Sequence, residues 1–219
     1  AQDIFEESLM LLKRSFTETE RWSYTSDRWT FNDIIVEPPV VQKPYPPMWV
    51  GAGSEGSIRG VARNDFNLLL DQMSPFEAIG EKIRIYQDEL DKLGKPYDRE
   101  RVAVTRGLMV ANNDNQRAEA HILRGKFISE VQILTKDKSA GPKAFSPVAV
   151  SNDTDAISNN GAVLGDKDEM GERVERLRDE GVHTILLHDL SGSFDALQQF
   201  AEEVMPKFAD ETDNVRAAE

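Results

Sequence analysis

The segment Gly51-Ala52-Gly53-Ser54-Glu55 follows a short apolar run, Met48-Trp49-Val50, and its residue types suit one kind of chemistry. Glycines let backbone N–H groups approach an anion closely, and a serine hydroxyl at the start of a helix adds a further donor, so such a segment can cradle a phosphate. It lacks the full glycine pattern of a dinucleotide fingerprint and the lysine of a Walker loop. Taken alone, a structural turn is the simpler reading. Gly161 and Gly165 bound a second turn, whose simplest task is entry into the helix that follows.

Arg106 lies inside the otherwise apolar run 101–111, where an unpaired charge is costly. It must therefore meet an anion, a carboxylate partner, a polar layer or solvent. Gln72 follows the run 66–70 and could supply a polar contact in the same cleft. Of the three histidines, His188 ends an apolar run beside Asp189 and is better placed for a site than His121 or His183, with a loop role as the alternative. Asp166 and Asp168 read as helix caps before metal ligands. Trp22, Trp29 and Trp49 suit core or interface packing. No catalytic residue and no metal set emerges, because scattered acids do not define two opposed carboxylates.

The elements that must position these residues alternate between helix and strand. Residues 4–16 carry Phe5, Leu9, Leu12 and Phe16 at helical spacing. Residues 20–47 are aromatic and β-branched and then rich in proline, which predicts a hairpin-like excursion. Strands are expected at 48–50, 66–70, 101–111 and 183–187. Ser74, Pro75 and Glu77 predict a capped helix start before Phe76, Ile79, Ile83, Tyr86 and Leu90. Residues 115–134 read as helix, residues 135–160 as an insertion or mobile segment, and 194–208 as a last amphipathic helix before a frayed tail. Four strand–helix units predict a parallel α/β architecture, either an open sheet or half of something larger.

The 219 residues are 39% hydrophobic and 30% charged with a net charge of −13. That composition supports a packed core and disfavours a nucleic-acid groove or an anionic membrane surface. The absence of cysteine excludes disulfides, thiolate nucleophiles and iron–sulfur ligation, and fits a cytoplasmic location. No run approaches the ~20 apolar residues of a membrane span, and the opening AQDIFEESLMLLKRSF lacks a secretory pattern.

The runs EPPVVQKPYPPMWVGAGSE, RVAVTRGLMVA and GAVLGDKDEMGERVERLRDEGVHTILL, followed by FAEEVMPKF, resemble the C-terminal half of the bacterial luciferase-like, flavin-dependent monooxygenase family. The resemblance extends over nearly the whole chain and implies the C-terminal half of a TIM (β/α)8 barrel as a single partial-barrel domain. It implies reduced FMN, dioxygen and an organic substrate, with a flavin reductase supplying the cofactor. Hydride transfer with the deazaflavin F420 and a noncatalytic flavin-binding or assembly subunit are the alternatives. By the same resemblance Gly51, Ala52, Gly53, Ser54 and Glu55 hold the cofactor phosphate, chiefly through Gly53 and Ser54. Gln72, Arg106 and His188 stand as substrate- or cofactor-proximal candidates. The family's first four strands have no counterpart here, so the reading expects a piece of a longer enzyme, a processed fragment or one part of a noncovalent assembly, with the missing half or a second copy as partner.

Overall fold

The computed structural model describes residues 2–136 and 154–209. The chain divides into two compact units, residues 1–48 and 49–219.

The first unit contains helix α1 (Gln2–Thr17) and strands β1 (Trp22–Thr25) and β2 (Thr30–Ile34). The strands form the expected antiparallel hairpin. Trp22 is buried, edge-on to Phe31 at 5.7 Å, with the Arg14 guanidinium 4.5 Å from its ring centre. Tyr24 donates its hydroxyl to Glu7 at 2.9 Å. The aromatic content of this stretch is thus packing, and residues 35–48 follow it without helix or strand.

The second unit runs β3 (Trp49–Gly51), α2 (Glu55–Arg63), β4 (Asn67–Leu70), α3 (Phe76–Lys92), β5 (Val102–Val110), α4 (Asp114–Lys136), α5 (Thr154–Gly161), β6 (Val163–Gly165), α6 (Lys167–Asp179), β7 (Thr184–Asp189) and α7 (Phe194–Glu203). The five strands form one parallel sheet, as crossover helices require. Its centre is β5, the longest strand. Residues 102–104 of β5 pair with β4, 103–108 with β7 and 108–110 with β6.

The strand register sorts side chains onto two faces, since alternate residues point oppositely. Leu68, Leu70, Val102, Val104 and Leu108 share the face with Arg106, and all are at most 1% exposed. The other face carries Trp49, Ala103, Gly107, Leu186 and His188. It is buried at Ala103 but open at Trp49 and Leu186, which are 43% and 48% exposed. An open apolar face is what the half-barrel reading expects.

The helix starts divide into one expectation met and one corrected. Asp166 caps α6 by accepting the N–H groups of Asp168 and Glu169, and Glu169 returns the bond to the Asp166 N–H. At α3, by contrast, Pro75 occupies the cap position and no side chain caps the helix. Ser74 is drawn instead into a buried polar cluster with Asp71 and Lys82. Glu77 meets Arg176 at 2.6 Å. Of the insertion expected at 135–160, residues 137–153 lie outside the described residues, as does the tail at 210–219, while 154–161 are helical as α5.

Candidate functional site at the carboxyl edge of the sheet

Because all five strands run parallel, the loops that follow them gather along one edge, the edge at which parallel α/β sheets bind ligands. After β3, the chain turns through Ala52, Gly53 and Ser54 into α2. Ser54 is extended and caps the helix, accepting the Ser57 N–H at 3.3 Å, while Ser57 Oγ accepts the Ser54 N–H at 3.1 Å. The Ser54 hydroxyl is therefore committed first to the cap. The Glu55 carboxylate is neutralised by Arg59 at 2.8 Å, which leaves its backbone N–H as the group it offers. The first-turn N–H groups of a helix have no partner within the helix.

The space around this turn fits a phosphate. A Cβ placed on Gly51 or Gly56 would meet nothing within 4 Å, and one on Gly53 would meet only Lys82 Nζ, at 4.0 Å. The turn is exposed at Gly51, Gly53 and Ser54, so its N–H groups are reachable. A buried ammonium stands at its edge.

That ammonium comes from α3 and is held by the loop after β4. Lys82 Nζ donates to Asp71 Oδ2 at 2.6 Å and to Ser74 Oγ at 2.7 Å. Asp71 also accepts from the N–H groups of Met73 and Ser74 and from the Ser74 hydroxyl. Burial pushes the Asp71 carboxyl upward, but Lys82, Ser74 and the Met73 N–H outweigh it and hold the group down at about 2. Ser74 is therefore a fixed hydroxyl, donating to Asp71 and accepting from Lys82.

Two guanidiniums brace the same loop. Arg106 is fully buried, donating from Nη1 to the carbonyls of Asp71 at 2.6 Å and Thr105 at 3.2 Å, and from Nη2 to that of Ser74 at 3.2 Å. Phe76 lies 5.6 Å from its guanidinium carbon. Burial lowers its pKa to about 10, opposed by the Asp71 charge. Arg124, from α4, is also fully buried and donates to Gln72 Oε1 at 3.1 Å and to the Gln72 carbonyl at 2.6 Å. Burial alone lowers its pKa to about 10. The Nε of each is buried without a partner among the described residues.

The structure thus brings Gln72 and Arg106 to one loop, Arg106 from the helix-covered face and Gln72 through Arg124. His188 is exposed on the opposite face, paired in register with Gly107 and edge-on to Phe127 of α4 at 5.9 Å. Lys82, Asp71, Ser74 and Arg124 were missed by sequence reasoning. Two of them carried a signal. Lys82 interrupts the apolar stripe of Ile79, Ile83 and Tyr86, and Arg124 lies one helical turn from both Ala120 and Ile128, each buried. Among the described residues there is no cluster of three metal-ligating side chains and no helix long and apolar enough to cross a membrane.

Solved structures share this fold at low identity. The monooxygenase RslO1 from Streptomyces bottropensis is 20% identical over 95% of this chain and 62% of its own, with a TM-score of 0.68. An F420-dependent secondary alcohol dehydrogenase in complex with an F420–acetone adduct is 16% identical, with the same coverage and a TM-score of 0.70. The oxygenating constituent of 3,6-diketocamphane monooxygenase from the CAM plasmid of Pseudomonas putida, in complex with FMN, is 18% identical over 94% of this chain and 63% of its own, at 0.67. The chain therefore spans less than two thirds of the length of these structures. No curated protein sequence matches it. The sequence profile of the luciferase-like monooxygenases matches residues 2–184, and with most of its length inside that match the chain belongs to the luciferase-like monooxygenase family.

Proposed function

We propose that the protein of which this chain forms the described part is a flavin-dependent oxidoreductase, and specifically a monooxygenase that uses reduced FMN and dioxygen on an organic substrate. The observation that carries the reading is the turn after β3, open above Gly53, backed by the first turn of α2 and flanked by Lys82. Bound reduced FMN would supply the electrons for dioxygen chemistry, delivered by a separate flavin reductase. The chain's own residues bind and orient. Gly53, Ser54 and Glu55 offer backbone N–H groups to the phosphate, Lys82 offers charge, and Arg106 fixes the neighbouring loop.

Binding by the intact protein tests this directly. FMN should bind more tightly than riboflavin, which has the same ring system without the phosphate. Ser54→Asp preserves a good cap while placing a negative charge in the turn. It should weaken FMN at least about tenfold, the loss expected for a charged contact, and leave riboflavin unchanged. Equal affinities for FMN and riboflavin in wild type would remove the phosphate site.

The second reading, hydride transfer with F420, is favoured by the likeness to the F420-dependent dehydrogenase. Isotope-labelled dioxygen separates the two: label in the product supports a monooxygenase, and substrate-dependent reduction of F420 without label supports the alternative.

A further inference from the structure

Arg124 differs from every other buried cation at this edge. Lys82 has the Asp71 carboxylate at 2.6 Å, and Arg106 is enclosed by three backbone carbonyls and feels the Asp71 charge. Arg124 is fully buried, yet its partners are the neutral Gln72 side chain, the Gln72 carbonyl and, at 3.8 Å, the Met73 sulfur. No carboxylate pairs with it among the described residues. Nearby, Arg106 adds like charge. A buried guanidinium held this way is stabilised most by an anionic oxygen, because a charge-assisted bond is about twice as strong as a neutral one.

The surroundings describe what would carry that oxygen. Phe127 lies 5.6 Å from the guanidinium carbon and packs edge-on to the exposed His188. Gly107 admits the guanidinium against β5: a Cβ there would lie 3.0 Å from Arg124 Nη1 and 3.7 Å from Leu190 Cδ1. Phe127, Met73 and Leu190 are half-buried, an apolar lining on the sheet face opposite Arg106. Gln72 is also half-buried, and its amide oxygen is the one side-chain oxygen on the guanidinium among the described residues. Rotating it away exchanges a neutral acceptor for a charged one.

We propose that Arg124 is the receptor for an organic carboxylate with an apolar body, bound at the carboxyl edge of the sheet between Phe127, Met73 and Leu190, with the Gln72 amide oxygen standing where a carboxylate oxygen binds. As a ligand site this stands by itself. As the place of the oxidised substrate it rests on the flavin-dependent reading above.

The test is calorimetric titration of the intact protein with benzoate and with its neutral counterpart benzamide. Benzoate binds wild type and benzamide does not. Arg124→Gln weakens benzoate at least about tenfold, the loss expected for a charge-assisted bond. Arg124→Lys recovers part of the affinity, since an ammonium keeps the charge without the planar fork. Gln72→Ala strengthens benzoate about threefold or more, because the competing acceptor is gone. The FMN–riboflavin contrast of the wild type, measured alongside, separates failure of this site from failure of the flavin reading. Benzamide binding as well as benzoate, unchanged affinity in folded Arg124→Gln, or weaker binding in Gln72→Ala overturns the proposal. So does benzoate binding that falls in Ser54→Asp and not in Arg124→Gln, which places the anion in the phosphate turn. Should Arg124→Gln fail to fold, the benzoate–benzamide contrast and Gln72→Ala decide alone.

Discussion

Asp71 ties three parts of the site together through a single carboxylate. Its pKa is about 2, against an ordinary value of 3.8. Between those values the unfolded chain binds more protons than the folded one, so stability rises with pH across that window. The contribution is fully present above about pH 4 and is lost as pH falls towards 2, amounting to about 2 kcal/mol at most for a side chain 32% exposed. Asp71→Asn should therefore lower the urea midpoint above about pH 4, where the contribution is fully present and Lys82 loses its carboxylate partner, and flatten the acid limb between those pH values. An unchanged acid limb would place the acid sensitivity on other carboxylates. Arg106 makes a second prediction at the same scale. Arg106→Lys keeps a charge but cannot serve the carbonyls of Asp71, Thr105 and Ser74 together, so it should cost about 2–3 kcal/mol in denaturant unfolding.

The helix starts show what a linear pattern can and cannot reveal. At α6 the cap is wholly local. Asp166 and Glu169 satisfy each other's neighbourhoods within one turn, and the sequence announces them. Asp166→Ala should cost about 1 kcal/mol. Gly165 should be less tolerant still: its φ is +135° and an added Cβ would run into the Glu169 side chain, so Gly165→Ala combines backbone strain with damage to the capping box. Urea midpoints that rank Gly165→Ala no worse than Asp166→Ala would contradict this. At α3 the same local grammar misleads. Ser74 sits in the pattern of a cap, but Lys82, eight residues on, and Asp71 claim its hydroxyl. Four of the five parallel strands and the β3–α2 turn were legible because apolar runs and glycine punctuation are local. By contrast β6, only three residues long and ending at Gly165, read as a turn and is a strand because Leu108 to Val110 of β5 pair with it. Arg124 and Lys82 were not singled out because their partners lie 52 and 11 residues away, contacts that only the folded sheet creates.

The whole molecule sets these sites against an open sheet face. Trp49 and Leu186 lie on the side of the sheet opposite Leu68, Val104 and Arg106, and the chain spans about 62% of the length of its structural relatives. Exposed apolar side chains on a sheet face of this kind favour cover by further protein or association. The 219-residue chain by itself should therefore sediment as a concentration-dependent mixture of species rather than as one component. Replacing both side chains, Trp49→Thr with Leu186→Thr, retains strand propensity while removing the apolar surface. That variant should shift sedimentation towards monomer without lowering the far-ultraviolet circular dichroism signal. Neither residue takes part in the Asp71–Ser74–Lys82 cluster, so FMN binding through the β3–α2 turn should follow the wild type wherever both fold. If association persists unchanged in the double variant, the self-contact lies on another surface, and this face is not what drives the chain to a partner.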